Sequence, residues 1–540
     1  MDLEGGMGTY KRPFHIYHFW EINSFAYING RVYTIDKSRP WAEAFIVDSQ
    51  GTSEAVGTNE EIEATALQRK LVTYNLRNKF IMPGIHDAHT HLLQASMQRL
   101  SESSISCCAC AYSNIFGDWV VGNFYQVAQF PDGNPDRKYL DDLYPNTPVI
   151  VREVPVHRIL LNSEGLRRLS LDRNVKDPPG GYYIRRADGE LTGEVVETAQ
   201  EAVWRSLPIP PLRYVKVALE HAIRECHRYG ITSVQEATAT TAYLHAVKEL
   251  EQENGLHLDI STHIVAGQGI GPDSKETLSA LIDIAEAFSS KHVRTNFIKL
   301  FLDGAPLPPE FTQCDLDEGR NANSKILLGF SELQELLVKY DSKGMTCKIH
   351  VAGEGSVRRA LDVYTEVRKR NPNGPKHEIA HCNAIHPDDI QRIKRLDLTA
   401  EMSPAMFHND IFQQLPHLFK WPFNDVLASG ARMTFGSDWI LTPTPSLFDS
   451  LAHIVETIKE PDIENHVNKT DKQIGGELIC RAITLGGATA VGLDRVAGSI
   501  EVGKKANFIS VDRDLNVGEF AGAEVLTTCF EGKTVFDFKK

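Results

Sequence analysis

Basic residues are in deficit. The 540-residue chain carries 57 Lys+Arg against 71 Asp+Glu, a formal net charge of −14. A nucleic-acid or anionic-membrane binder needs the opposite balance, so neither is expected as a partner. Long apolar runs are also missing, and none approaches the roughly 18 residues that span a bilayer. The opening stretch, MDLEGGMGTYKRPFHIYHF, has neither the apolar core nor the small-residue cleavage site of a secretory signal. The expected location is the cytoplasm. Cysteine is scarce: there are nine, an odd number, with Cys107, Cys108 and Cys110 crowded into SISCCACAY. A four-cysteine zinc site needs two separated pairs, so reduced, buried thiols are the expected state. A redox or metal role for that cluster is the weaker alternative.

The composition that remains is ordinary for a globular chain, 42% hydrophobic and 24% charged. The length calls for more than one structural unit. No internal repeat and no low-complexity block interrupts it. Both chain ends read as β. Residues 24–36, SFAYINGRVYTID, alternate around an Asn-Gly pair as a hairpin would, and 43–57, 498–512 and 523–538 continue the pattern. The middle is different. Short apolar runs (Val149–Val151, Thr232–Val234, Ile260–Ile264, Phe297–Leu302, Met345–Val351, His377–His381, Arg432–Gly436) alternate with amphipathic stretches such as Val215–Tyr229, Ser274–Ser289 and Ser356–Arg370. Such alternation over about 400 residues predicts an α/β fold with a closed (β/α)8 barrel. The Pro-, Gly- and Asn-rich span 100–210 reads as insertions on that barrel.

Residues that could carry chemistry stand where the apolar runs end. In IMPGIHDAHTHLL (81–93), His89 and His91 are two apart, so in an extended strand both imidazoles face one side. Neutral imidazole is a good ligand for zinc and similar ions. His350 closes MTCKIH, His381 closes HEIAH and Asp438 closes RMTFGSD. Taken singly, each histidine reads as a core or surface residue and Asp438 as a helix N-cap. Taken together, they mark the C-terminal rim of a barrel, where catalytic groups sit. Lys299 lies inside an apolar run, NFIKLFLDG. A buried ammonium must be paired, neutral or modified, and Asp303 or Asp438 is the plainest partner.

These motifs resemble those of the amidohydrolase superfamily. Within it, the chain is similar to the YtcJ-like branch, which includes N-substituted formamide deformylases. The resemblance runs nearly end to end, through NGRVYTID, PGIHDAHTH, HRILLNSEGL (157–166), DPPGGYYIRRADGELTG (177–193), KLFLDG, HVAGEGSVRRALD (350–362), HEIAHCNAIHPDDI (377–390), TFGSDW (434–439) and GSIEVGKKANFISVD. It implies a barrel over 83–494 bearing a small β-sandwich built from residues 1–82 and 495–540. It implies a divalent metal, zinc, as one or two ions held by His89, His91, His350, His381 and Asp438, with Lys299 carboxylated on its amine as a bridge. The implied reaction is hydrolysis of the C–N bond of a small amide, formamide or cyclic amide by metal-activated water. Asp438 would act first as base and then as acid. His157, His408 and Trp439 are the candidates to bind substrate. Three positions depart from the family pattern: Glu354 after Gly353, Ala380 before His381, and Trp439 after Asp438. Substrate scope is therefore not carried over. A related zinc deaminase or esterase, and a catalytically silent regulatory homologue, stay as alternatives because a fold does not fix a reaction. A homodimer is left open.

Overall fold

The computed structural model describes residues 24–103, 116–153, 157–267, 273–306, 311–318, 321–404, 419–459 and 469–539. His408 and the Cys107–Cys110 cluster lie outside the described residues. Eight strands form the centre: β1 (Ile85–Thr90), β2 (Ile231–Ala239), β3 (Asp259–Val265), β4 (Val293–Phe301), β5 (Thr346–Val351), β6 (Glu378–His381), β7 (Thr399–Met402) and β8 (Arg432–Phe435). They are hydrogen-bonded in chain order, and every pairing is parallel. The ring closes where Thr90 bridges Trp439 and the Asp438 N–H donates to the His89 carbonyl at 2.7 Å. The sheet is thus the expected barrel. Strand β7, Thr-Ala-Glu-Met, has no apolar run and was invisible to a hydropathy reading.

Helices cover the outside because their apolar residues recur every three to four positions. Leu212–Arg228 buries Val215, Ala218, Leu219, Ala222 and Ile223. Thr240 caps Thr241–Gln252 by accepting the Tyr243 N–H. Gly353 is the N-cap of helix Glu354–Arg370. A Cβ there would lie 2.1 Å from the Cys314 carbonyl oxygen, so the close approach requires glycine.

Strands from both ends of the chain share one six-stranded sheet, in which Phe508–Val511 pairs antiparallel with Phe80–Pro83. A four-stranded sheet of Phe25–Ile28, Ala44–Val47, Ser53–Gly57 and Val72–Asn75 accompanies it. Tyr27, Phe45 and Phe508 pack their rings at centroid distances of 5.0 to 5.1 Å and join the two sheets. The Asn29-Gly30 hairpin does not form. Phe25–Ile28 pairs with Ala44–Val47 and Val72–Asn75, whereas Arg31–Tyr33 pairs with Trp41–Ala42 and Phe80–Pro83. Asn29, at φ 56°, turns the chain from one sheet into the other, because partners distant in sequence offer longer ladders than the local turn.

Between β1 and β2 the chain builds a five-stranded sheet, ordered Gly181–Arg185, Leu191–Glu197, Arg158–Leu161, Val149–Glu153, Val120–Tyr125. It has a separate apolar core of Trp119, Ile150, Ile159, Leu161, Val195 and Val203. Val149–Val151 belongs here and not to the barrel. Cys226, Cys314, Cys347, Cys382, Cys480 and Cys529 are free and buried. Among the described residues, no helix is long and apolar enough to cross a membrane.

Candidate metal centre and active site

At the C-terminal ends of the barrel strands, one ligand atom each from His89, His91 and Asp438 lie within 4.8 Å of one another. His91 Nε2 is 3.2 Å from Asp438 Oδ1, and His89 Nε2 is 4.0 Å from the same oxygen. Two donors, each about 2.0–2.1 Å from one tetrahedral ion, would stand roughly 3.3 Å apart, so the donor set fits a metal. The other predicted histidines arrive from neighbouring strands. The ring centroid of His381 is 4.5 Å from that of His89 and 4.3 Å from that of His350, and His381 Nδ1 lies 3.9 Å from Asp438 Oδ2. The strand ends therefore gather four imidazoles and one carboxylate that the sequence scatters over 350 residues, from His89 to Asp438. His381 and Asp438 both have left-handed backbones, at φ 70° and 47°. Neither is glycine or asparagine, and strain of this kind concentrates at functional sites.

Burial and a neighbouring cation keep His89, His350 and His381 neutral. Burial lowers the pKa of His89, His350 and His381 far below the ordinary value. The Lys299 ammonium pushes each of them further down. A neutral imidazole is the form that binds metal. Lys299 Nζ sits 3.5 Å from His89 Nε2 and 5.2 Å from the centre of the Phe301 ring. Burial, then repulsion from Lys348, lowers its pKa from 10.5 to about 7. The carboxylates expected to pair with it, Asp303 and Asp438, make other contacts. Asp303 accepts the backbone N–H groups of Cys314, Ala352 and Gly353.

Several residues of the site carried no motif. Glu401 of β7 accepts from His89 Nδ1 at 2.7 Å and from the Ser403 hydroxyl at 2.6 Å. This fixes the His89 tautomer and leaves Nε2 bare, as the outer partner of a metal-binding histidine does. Thr238 contacts His91 Nδ1 at 2.9 Å in the same way. Lys348 of β5 donates at 2.5 Å to the Ala88 carbonyl and to Gln235 Oε1, and lies 3.6 Å from Glu378 Oε2. It was within reach of sequence reasoning, because a lysine inside an apolar run, MTCKIH, poses the same problem as Lys299.

His157 stands at the rim, 5.9 Å from the His350 ring centre. Trp439, expected at the substrate, is 1% exposed and packed in the main apolar core. Its backbone closes the barrel and its ring fills the wall, because a side chain next to a strand-closing bridge points away from its neighbour Asp438.

The amidohydrolase family model matches residues 72–536. The chain is 25% identical to N-substituted formamide deformylase of Arthrobacter pascens, across 94% of this chain and 97% of that protein. It is 23% identical to YtcJ of Bacillus subtilis, across 94% and 98%. In structure it is similar to an uncharacterized metal-dependent hydrolase of Pyrococcus horikoshii, with a TM-score of 0.68, 18% identity, and coverage of 93% of this chain and 99% of the other. With a barrel closed around this cluster and a family match over most of its length, the chain belongs to the amidohydrolase family, hydrolases of carbon–nitrogen bonds.

Proposed function

We propose that the protein hydrolyses the C–N bond of a small amide, with N-substituted formamides as the first class to test. The observation that carries this reading is the convergence of His89, His91 and Asp438 within 4.8 Å at the barrel mouth. His89, His91, His350, His381 and Asp438 would hold a divalent metal. Zinc suits this set, since imidazole and carboxylate are ordinary zinc ligands. Such an ion lowers the pKa of water towards neutrality and polarises a carbonyl. Asp438, facing the imidazoles, accepts the proton of the attacking water on a carboxylate oxygen and passes it to the leaving amine. Glu401 and Thr238 keep His89 and His91 in the tautomers that expose Nε2. Lys299, 3.5 Å from His89 Nε2 and with its pKa lowered to about 7, suits carboxylation on Nζ, in which the free amine would add carbon dioxide and release a proton, leaving an anion able to ligate the metal in place of a buried cation.

The two chain ends are read as one β unit carrying the barrel, and the sheet of 120–197 as an insertion that shapes the mouth. The similarity to the Arthrobacter pascens deformylase supports formamides as the first class. The test is metal per chain together with amine release from a panel of N-substituted formamides, amides and cyclic amides. Activity should vanish on chelation and return with zinc. Full turnover after complete metal removal would overturn the reading. In Lys299→Ala, lost metal supports the bridge; full occupancy with a lower melting temperature ends it.

A further inference from the structure

The inserted sheet reaches the barrel rim at one glycine. Gly304, just beyond β4, lies with its carbonyl oxygen 3.4 Å from His350 Nε2. A Cβ on Gly304 would fall 2.3 Å from Glu197 Oε1 and 2.2 Å from Thr312 Oγ1, so only glycine admits them. Glu197 Oε1 accepts from the Thr312 hydroxyl at 2.6 Å. Both Glu197 oxygens also lie on His157 Nδ1, at 3.1 and 3.0 Å. Glu197 is 4% exposed and holds φ 50°, a left-handed conformation that a glutamate keeps only when its surroundings impose it. Burial favours the neutral form of both partners. Their mutual attraction outweighs it, raising His157 and lowering Glu197 from their ordinary values. With Nδ1 committed to Glu197, Nε2 is the ring atom left for anything bound at the mouth. Hydrolysis of an amide develops negative charge on the carbonyl oxygen. A donor fixed in a dry site binds that charge more tightly than it binds the ground state.

We propose that Glu197 is a positioning residue: with Thr312 it locks His157 at the barrel mouth so that Nε2–H donates to a carbonyl or carboxylate oxygen of the substrate. This rests on the hydrolytic reading above and assigns to the inserted sheet the recognition of that oxygen. None of the three residues ligates in the metal cluster, so their loss should leave metal content unchanged.

The experiment uses the full-length, metal-loaded protein and the variants Glu197→Gln, His157→Asn and their combination. On the formamide the wild type turns over best, each single variant should lose on the order of 10²-fold in kcat, with KM changed less than about threefold. The double variant should be no slower than His157→Asn alone, because groups that act as one unit are not additive. Thr312→Val should lose less. Multiplying losses in the double variant, or Glu197→Gln within about twofold of wild type, would overturn the proposal. Two readouts do not need turnover. The Nδ1–H signal of 15N-labelled His157, assigned by its loss in His157→Asn, should be present in wild type and displaced in Glu197→Gln. Formate, titrated calorimetrically as the probe, should bind Glu197→Gln about tenfold more weakly. If the panel gives no turnover while both hold, the hydrolytic reading fails and the positioning of His157 stands. Equal formate affinity, or an unmoved signal, sinks the positioning itself.

Discussion

The mouth and the floor of the barrel lumen are both polar, yet they follow opposite plans. On the floor, Lys348, Gln235 and Glu378 are all 0% exposed, with the ammonium bonded to Gln235 and to the Ala88 carbonyl and facing Glu378 Oε2, while Glu378 Oε1 stands 3.8 Å from His263 Nε2 without a hydrogen bond. At the mouth, two residues further along β5 and three along β6, lone pairs converge instead. His89, His91 and His381 turn nitrogens towards the Asp438 carboxylate. On the floor the charge is already paired, Lys348 against Glu378. Converging acceptors are complete only with a cation added. The difference marks one layer as scaffold and the next as site, although β5 and β6 contribute to both.

The largest effect should come at the mouth. Asp438→Asn keeps the shape but cannot take a proton, and kcat should fall by about 10²–10⁴. The melting temperature of the metal-loaded protein should change little, since Asp438 is not part of a closed pair. Turnover above a tenth of wild type would remove Asp438 from the chemistry and blur the contrast.

Floor variants should do the reverse. Lys348→Met leaves Glu378 buried without its cation, at a cost of about 3–5 kcal/mol in urea denaturation. Replacing both, Lys348→Met with Glu378→Leu, should recover most of that loss, because an apolar pair of similar volume needs no compensation. If the double variant is no more stable than the single one, the floor is not self-contained.

How far the sequence reveals this contrast depends on distance along the chain. His89, His91, His350, His381 and Asp438 were legible because each ends an apolar run, and strand ends of a barrel meet at one rim. Glu401 was not, because β7 is four residues with no apolar period and its partner His89 is 312 positions away. Glu197 was equally hidden: it meets His157 only because Arg158–Leu161 pairs antiparallel with Leu191–Glu197. The Asn29-Gly30 hairpin failed for the same reason, a local signal overruled by partners far along the chain. For Trp439 the sequence gives adjacency to Asp438 but not the burial of the ring, which is 1% exposed in the structure.

Chelation separates the layers more gently. A metal present at about a hundred times its Kd stabilises the fold by about 2.7 kcal/mol. Its removal should lower the melting temperature and speed amide exchange at the mouth ends of β5 and β6. Exchange of the floor amides at Cys347 and Ile379 should slow or speed only with global unfolding. Equal acceleration in both layers would mean that the metal holds the whole lumen and the floor does not stand alone.

The smallest effect is the most discriminating, because the buried carboxylates of the two layers should titrate with opposite sign. Burial pushes the Glu378 carboxyl up, but Lys348 and His263 more than offset it and bring its pKa from 4.5 down to about 2. A depressed carboxylate stabilises the fold above its unfolded pKa, and that stabilisation disappears as pH falls from about 4.5 through about 2. Near the mouth, burial raises Glu401 and Glu236 from 4.5 to about 7, and Asp303 from 3.8 to about 7. There the native state keeps protons that the unfolded chain has released, so stability declines as pH rises from about 4 to about 7. His86, His89, His263, His350 and His381, which burial holds neutral below the ordinary 6.5, act in the opposite sense, because the unfolded chain takes up their protons first as pH falls. The metal-free protein should therefore melt highest between about pH 5 and pH 7 and fall on both sides. Glu378→Gln should partly flatten the acidic limb, with the histidines supplying the rest, and spare the neutral one. Glu401→Gln should partly flatten the neutral limb, with Glu236, Asp303 and Asp87, which burial lifts to about 6, supplying the remainder. Added zinc should shrink the neutral limb, since a cation at the mouth favours the ionised carboxylates beside it, and steepen the acidic limb, since protons displace it from the histidines. Melting curves between about pH 3 and pH 8, with chelator and with zinc, decide it. A neutral limb that zinc leaves unchanged would show that Glu401 does not feel a cation at the mouth, and would break the contrast.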